Sequence, residues 1–209
     1  MFEFKVRNLF LLGLLVAFVA MAGCSCKEYE EQIMQLDAQI AELQQEIAND
    51  EAIMAERQAI AEELRANLQD CQTENAILIE ESEEVVIITI PDQLTFAASQ
   101  VTVLDTMVPA LRVIADVISQ HPDWDVYVEG YTDNRKIKEE YHEYYPTNWE
   151  LGGHRSSAVV RYLTNDLELN PERFAAVSFG PFRPVADNGT EDGRRANRMV
   201  RIMMYNPEM

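Results

Sequence analysis

The chain has 209 residues, with 36 acidic side chains against 17 basic ones and a formal net charge of −19. That balance argues against a nucleic-acid partner, whose backbone recruits Lys and Arg, and against a polybasic membrane-surface patch. The charge is also uneven: residues 24–84 hold 3 basic and 17 acidic side chains, residues 85–209 hold 12 and 18. The chain therefore reads as three segments, 1–23, 24–84 and 85–206, rather than one globule.

The first segment has the grammar of an export signal. Lys5 and Arg7 form a short basic start, Leu9 to Ala20 an uncharged apolar run, and small residues lead into Cys24. A charge-free stretch from Asn8 to Gly23 falls short of the roughly 20 residues that span a bilayer comfortably. It predicts a secretory signal peptide, with an uncleaved signal anchor as the alternative. Met21-Ala22-Gly23-Cys24 resembles a bacterial lipobox. That resemblance implies cleavage before Cys24, with lipid on its thiol and on the new N-terminus. Each buried methylene contributes about 0.8 kcal/mol, so several acyl chains anchor durably where one does not. By analogy with lipoprotein sorting, Ser25 after the lipidated position favours the outer membrane, facing the periplasm.

The second segment carries apolar residues at alternating spacings of three and four. One set is Ile33, Ile40, Ile47, Met54, Ala61 and Leu68; the other is Tyr29, Leu36, Leu43, Leu64, Cys71 and Leu78. Such a seam predicts a coiled-coil stalk and a homo-oligomer, with Asn75 available to fix register. Asp50 and Arg57 fall on seam positions while Ile53 and Ile60 lie outside the frame, which predicts a stutter or weak middle. About 50 helical residues would make a spacer of roughly 75 Å. The alternative is a helix folded back on itself or onto its own domain, although no Gly or Pro interrupts residues 27–90 to allow a sharp hairpin. Cys26 and Cys71 are left over in an oxidising compartment; Cys71 either pairs across the seam or stays reduced and buried.

In the third segment, the β-branched run from Glu84 to Ile90 predicts a strand closed by a Pro91-Asp92 turn. Thr106 is placed to cap a helix with Pro109 in its first turn and an inward stripe from Val108 to Ile118. Asp125 to Tyr131 alternates like a half-buried strand. A polar, aromatic loop over 134–147 follows, then a helix from about Trp149 to Leu163. Arg173 to Phe179 and Arg198 to Tyr205 complete the strands. The alternation predicts an α/β sandwich with helices on one face of a small mixed sheet.

Five separated motifs then carry a family resemblance: Gly130-Tyr131-Thr132-Asp133, Asn148 to Arg155, Ala158 to Leu163, Phe179-Gly180 with Pro184, and Gly193 to Arg198. In order and spacing they resemble the OmpA-like peptidoglycan-binding domain, over residues 85–206. The Asn-Trp-Glu-Leu segment and the loop before it look most like the flagellar stator protein MotB and its relatives. Lipobox and stalk look more like a Pal-type lipoprotein.

The resemblance implies a site for the zwitterionic end of diaminopimelate in a stem peptide. Asp133 would take the ammonium and Arg155 the carboxylate, ideally through both arms of its planar fork. The N-terminus of the helix that carries Arg155 would add free N–H groups and a positive dipole end. The resemblance adds Thr132, Asn148 (loop-fixing or ligand-contacting), Leu151 (packing), and Asn197 and Arg198, either touching ligand or bracing the fold. Some positions depart from the family pattern. Tyr131 stands where His is frequent, Met199 where a second Arg is, and Ser156 where Ala follows the key Arg. Gly152 and Gly153 replace Ser and a polar or small residue, predicting a softened helix start.

The three histidines show no metal-ligand spacing, and no nucleophile elbow or phosphate-cradling loop is present, so no metal, cofactor or catalysis is expected. The implied role is a lipid-anchored outer-membrane protein that holds peptidoglycan without transforming it. The rivals are an envelope component anchoring a motor or secretion complex, and a stalked protein that binds another through Tyr141, Tyr144 and Tyr145. An ion-conducting stator would need an intramembrane carboxylate, and residues 8–23 have none.

Overall fold

The structure, a computed structural model, describes residues 27–69, 77–82, 85–96 and 102–207. The signal segment, Cys24, Cys26, Cys71 and Asn75 lie outside the described residues. The chain divides into two units, Met1–Glu56 and Arg57–Met209.

What is described of the first unit is helical. Helix α1 spans Lys27–Leu68 and is free of Gly and Pro. Ile33, Leu36, Ile40, Leu43 and Ile47 are half-buried along one stripe, while Met34 on another face is exposed. Among the described residues no helix is long and apolar enough to cross a membrane.

The second unit starts earlier than the sequence boundary at 84/85. Ile60, Ala61, Leu64 and Leu68 of α1 are wholly buried in it, and Gln120 Nε2 donates to Glu63 Oε1 at 3.1 Å. Ala61, Leu64 and Leu68, expected on an intermolecular seam, are therefore used by the chain's own core. Ile60, out of heptad frame, belongs to that same core, which explains the break in the pattern. Leu78, also assigned to the seam, begins strand β1 (Leu78–Glu81). Arg65 ties β1 to α1, with Nη2 donating to the Ile79 carbonyl at 3.2 Å and Nη1 2.8 Å from Glu81 Oε1.

Strands β2 (Val85–Pro91), β3 (Asp125–Tyr131), β4 (Phe174–Gly180) and β5 (Met199–Tyr205) complete a sheet of order β1-β2-β5-β3-β4. All neighbours are antiparallel except β3 and β4, which are parallel. Register aligns the alternating apolar residues of the three central strands into rows: Val86, Met204 and Val126; Ile88, Ile202 and Val128; Ile90, Val200 and Gly130. Every residue of these rows is buried. Val85, Ile87, Tyr127 and Met203, on the opposite face, are not. A one-residue slip would exchange the two faces, so this pattern alone specifies register.

Short helix α2 (Asp92–Thr95) follows β2, and α3 (Val108–Gln120) precedes β3. Thr106 does not cap α3. It sits inside a 3₁₀ turn, Asp105–Met107, that leads into the helix without a side-chain cap, with Pro109 in the first turn as expected. Helix α4 (Asn148–Arg161) crosses from β3 to β4 and ends in a π turn, Tyr162–Asp166. Helix α5 (Glu191–Asn197), absent from the sequence reading, precedes β5, with Thr190 Oγ1 accepting from Gly193 N at 3.0 Å.

Candidate functional site

The sheet brings together residues far apart in sequence. β2 and β3 both run antiparallel to β5, so they are parallel to each other, and their last residues, Pro91 and Tyr131, both pair with Met199. Asp92 therefore leaves the end of one strand, and Thr132 and Asp133 leave the other. Arg198, one residue before Met199, enters between them. The backbone closes these junctions: Asp92 N donates to Arg198 O and Thr132 N to Gly180 O, each at 3.0 Å. Gly180 has φ +51°, a left-handed conformation that favours glycine. Helix α4 supplies the last group, Arg155, three residues after Gly152, where the helix backbone touches β3.

The result is four alternating charges. Arg155 Nη1 lies 3.1 Å from Asp92 Oδ2, and Arg198 Nη1 donates to Asp133 Oδ2 at 2.7 Å. Arg198 Nε is also 3.7 Å from Asp92 Oδ2, linking the two pairs. Asp133 Oδ1 accepts from Arg135 N at 2.9 Å. The Arg155 guanidinium stands 5.4 Å from the centre of the Phe96 ring, within cation–π range. Only 4% of Arg155 and 7% of Asp133 is exposed, so these charges act in a low dielectric. Burial pushes the Asp92 carboxyl above its ordinary value, opposed first by Arg155 and then by Arg198. Burial likewise pushes the Arg155 guanidinium down, with Asp92 as the main opposing charge. Arg155 Nε is buried without a hydrogen-bond partner among the described residues.

These groups face a cleft of about 610 Å³. Thr132, Asp133, Asn148, Leu151, Arg155 and Arg198, six of the seven residues singled out in the sequence, line it. Asp133 and Arg155 do not pair with each other; each holds a counter-ion that sequence spacing could not reveal. Asn148 takes the loop-fixing role, donating from Nδ2 to Arg135 O at 2.9 Å.

Two expectations are corrected. Asn197 does not line the cleft: it is 1% exposed, its Oδ1 accepts from Val185 N and Ala186 N, and its Nδ2 donates to Ala186 O and Asn188 Oδ1. Its amide braces the loop before α5. The N-terminus of α4 is not left with all its N–H groups free either. Thr147 and Glu150 form a capping box there, with Trp149 N donating to Thr147 Oγ1 at 3.1 Å and Thr147 N to Glu150 Oε2 at 2.8 Å.

The residue that sequence reasoning missed is Asp92, read only as part of a turn. Its signal was available: an acid directly after a strand, in the same relation to β2 that Asp133 has to β3. Tyr131, despite its place in the motif, does not line the cleft. Its hydroxyl donates to Glu129 Oε2 at 2.7 Å, and burial pushes its pKa up to about 12.

Comparison with known proteins identifies the family of this domain. The OmpA family matches residues 95–198. A solved structure, the cell wall anchor of the T6SS from Pseudomonas aeruginosa, is 30% identical with a TM-score of 0.60, over 68% of this chain and 96% of that one. This chain belongs to the OmpA family. Among curated relatives, Bacillus subtilis (strain 168) YtxE, an uncharacterised protein, is 34% identical over 122 residues, 58% of this chain and 49% of that protein. Motility protein B of the same organism is 28% identical over 137 residues, 66% of this chain and 51% of that protein. The chain spans about half the length of these two relatives. The expected α/β sandwich on a small mixed sheet, with a long helix before it, is the fold observed.

Proposed function

We propose that the cleft binds the diaminopimelate end of a peptidoglycan stem peptide, and that the chain tethers the outer membrane to the wall through lipid on Cys24. The observation that carries the binding reading is the alternation of charge around one cleft, with Asp92, Arg155 and Asp133 buried and Arg198 half-buried. A buried ion pair contributes little net stability compared with apolar residues of similar volume. A four-charge array with an unused Arg155 Nε suits a ligand carrying both signs. Asp133 accepts the ligand ammonium, sharing or displacing Arg198. Arg155, already anchored to Asp92 through Nη1, donates to the carboxylate. Asn148 holds the loop wall, Leu151 supplies apolar packing, and Thr132 sets the strand exit.

The test is sedimentation of full-length protein with purified sacculi. Wild type is expected to pellet, and Asp133→Ala to stay largely in the supernatant. Wild type remaining soluble overturns wall binding, whereas an Asp133→Ala variant that pellets normally overturns the site.

A second reading is supported by the similarity to Motility protein B and to the T6SS wall anchor: attachment of a motor or secretion complex to the wall. Incorporation of labelled palmitate, sensitive to globomycin, separates the lipid-anchored tether from a signal-anchored stator relative.

The half-buried stripe of α1 from Ile33 to Ile47 supports the proposed homo-oligomer, because it repeats at coiled-coil spacing. A chain starting at Lys27 is expected to sediment as a dimer or trimer at tens of micromolar. A monomer alone at that concentration would rule out the seam.

A further inference from the structure

The cleft is more basic than a zwitterion requires. Among the described residues its lining holds five bases and two acids, in a segment, 85–209, whose own balance is 12 basic against 18 acidic. Arg155 and Arg198 are matched by Asp92 and Asp133. The surplus is one short run, Arg135-Lys136-Ile137-Lys138, along the loop wall.

That run is held in place. Asn148 grips Arg135 O, Asp133 Oδ1 accepts from Arg135 N, His142 Nε2 contacts Ile137 O at 2.9 Å, and Tyr141 N donates to Lys138 O at 2.9 Å. Its side chains are only partly engaged. Arg135 pairs with Glu191 outside the cleft lining, and Lys138 stands 3.9 Å from Glu140 with both groups largely exposed, a separation that contributes little. Lys136 has no ion pair or hydrogen bond among the described residues. A backbone anchored at four points thus presents two available ammonium groups beside a site already neutral.

We propose that Lys136 and Lys138 form a specificity rail that takes further carboxylates of the same stem peptide, so that the cleft favours free-acid peptides over amidated ones. The inference rests on the wall-binding reading and deepens it. A stem peptide carries carboxylates besides the zwitterionic end, and amidation removes one negative charge at each. The zwitterion fixes the peptide between Asp133 and Arg155, and the rail reads the charge that remains.

The experiment measures binding of two synthetic stem tripeptides to the full-length protein, one with free carboxylates and one with those outside the zwitterion amidated. Wild type is expected to bind the free-acid form about fivefold more tightly, the size expected of two exposed ion pairs. The preference should shrink as salt is raised. Lys136→Gln/Lys138→Gln is expected to melt like wild type, bind the amidated peptide as well as wild type does, and lose the preference. Equal affinities in wild type, or a preference that survives in the double variant, would overturn the rail while leaving the Asp133/Arg155 site standing. Failure of wild type to bind either peptide overturns the wall-binding reading, and the rail with it.

Discussion

Replacing Arg155 with alanine is expected to weaken stem-peptide binding by roughly 100-fold to 10,000-fold and to lower the melting temperature at neutral pH. The binding loss follows from two charge-assisted hydrogen bonds to the ligand carboxylate, each contributing about 1.5–3 kcal/mol. The stability loss has a separate origin. Asp92 would keep its buried carboxylate with Arg198 Nε, at 3.7 Å, as its remaining cation, and breaking a buried pair from one side costs about 3–5 kcal/mol.

The two losses separate by pH and by a conservative variant. Burial already raises the Asp92 pKa from its ordinary 3.8, and Arg155 is the largest opposing influence. Without Arg155 the carboxyl rises further. A carboxyl whose folded pKa lies above its unfolded value binds more protons in the native state. Its contribution to stability is greatest below the unfolded value and is lost as pH rises through the folded one. The stability deficit of Arg155→Ala should therefore narrow on acidification from neutral pH toward the ordinary carboxylate range, as followed by thermal melts. Arg155→Lys keeps a cation beside Asp92 but lacks the planar fork. It is expected to recover most of the melting temperature and little of the affinity. If Lys restores binding as fully as it restores stability, Arg155 serves the fold and not the ligand.

Legibility from sequence followed the range of the forces involved. Strands β2 to β5 and helices α3 and α4 were readable because alternation and helical periodicity are local patterns imposed by burial. Strand β1, with Leu78 and Glu81 on an exposed edge, carries almost no such pattern. Helix α5 is short and nearly all polar, EDGRRAN, and is held by the Thr190 cap and by Asn197 beneath the preceding loop. The site was half legible. Motif spacing located Asp133 and Arg155, but their counter-ions depend on which strands neighbour β5. Arg198 and Asp92 meet because both junctions sit at Met199, a register that no local window contains. The change in use of α1 was visible only as a defect. Ile60 looked out of frame because the heptad there gives way to packing into the chain's own core.

Gly130→Ala is expected to disrupt the domain more severely than any exposed substitution, and the reason reverses the sequence reading of Gly152. A Cβ on Gly130 would lie 2.0 Å from Gly152 O, and one on Gly152 would lie 2.4 Å from Ser178 Oγ and 3.0 Å from Gly130 O. The glycines at the start of α4 therefore do more than soften it. Gly152 lets the helix backbone rest on β3, with Ser178 Oγ donating to Trp149 O at 2.9 Å alongside. Gly152 cannot yield to a Cβ on Gly130, because the obstructing atoms are its backbone O, C and Cα. Overpacking of this kind costs about 1–3 kcal/mol and can exceed it, and Gly130→Ala belongs at the upper end. Displacing α4 also withdraws Arg155 from Asp92, so a variant that still folds should bind stem peptide poorly. Gly153 provides the control. A Cβ there meets only Ser178 Cβ at 3.8 Å, an ordinary contact, and alanine is favoured over glycine in a helix by about 1 kcal/mol. Gly153→Ala should therefore melt at or above the wild-type temperature and bind normally. Chemical denaturation of the two variants side by side decides the matter. If Gly130→Ala proves no less stable than Gly153→Ala, close backbone approach does not govern this contact, and the placement of Arg155 by the glycine pair fails.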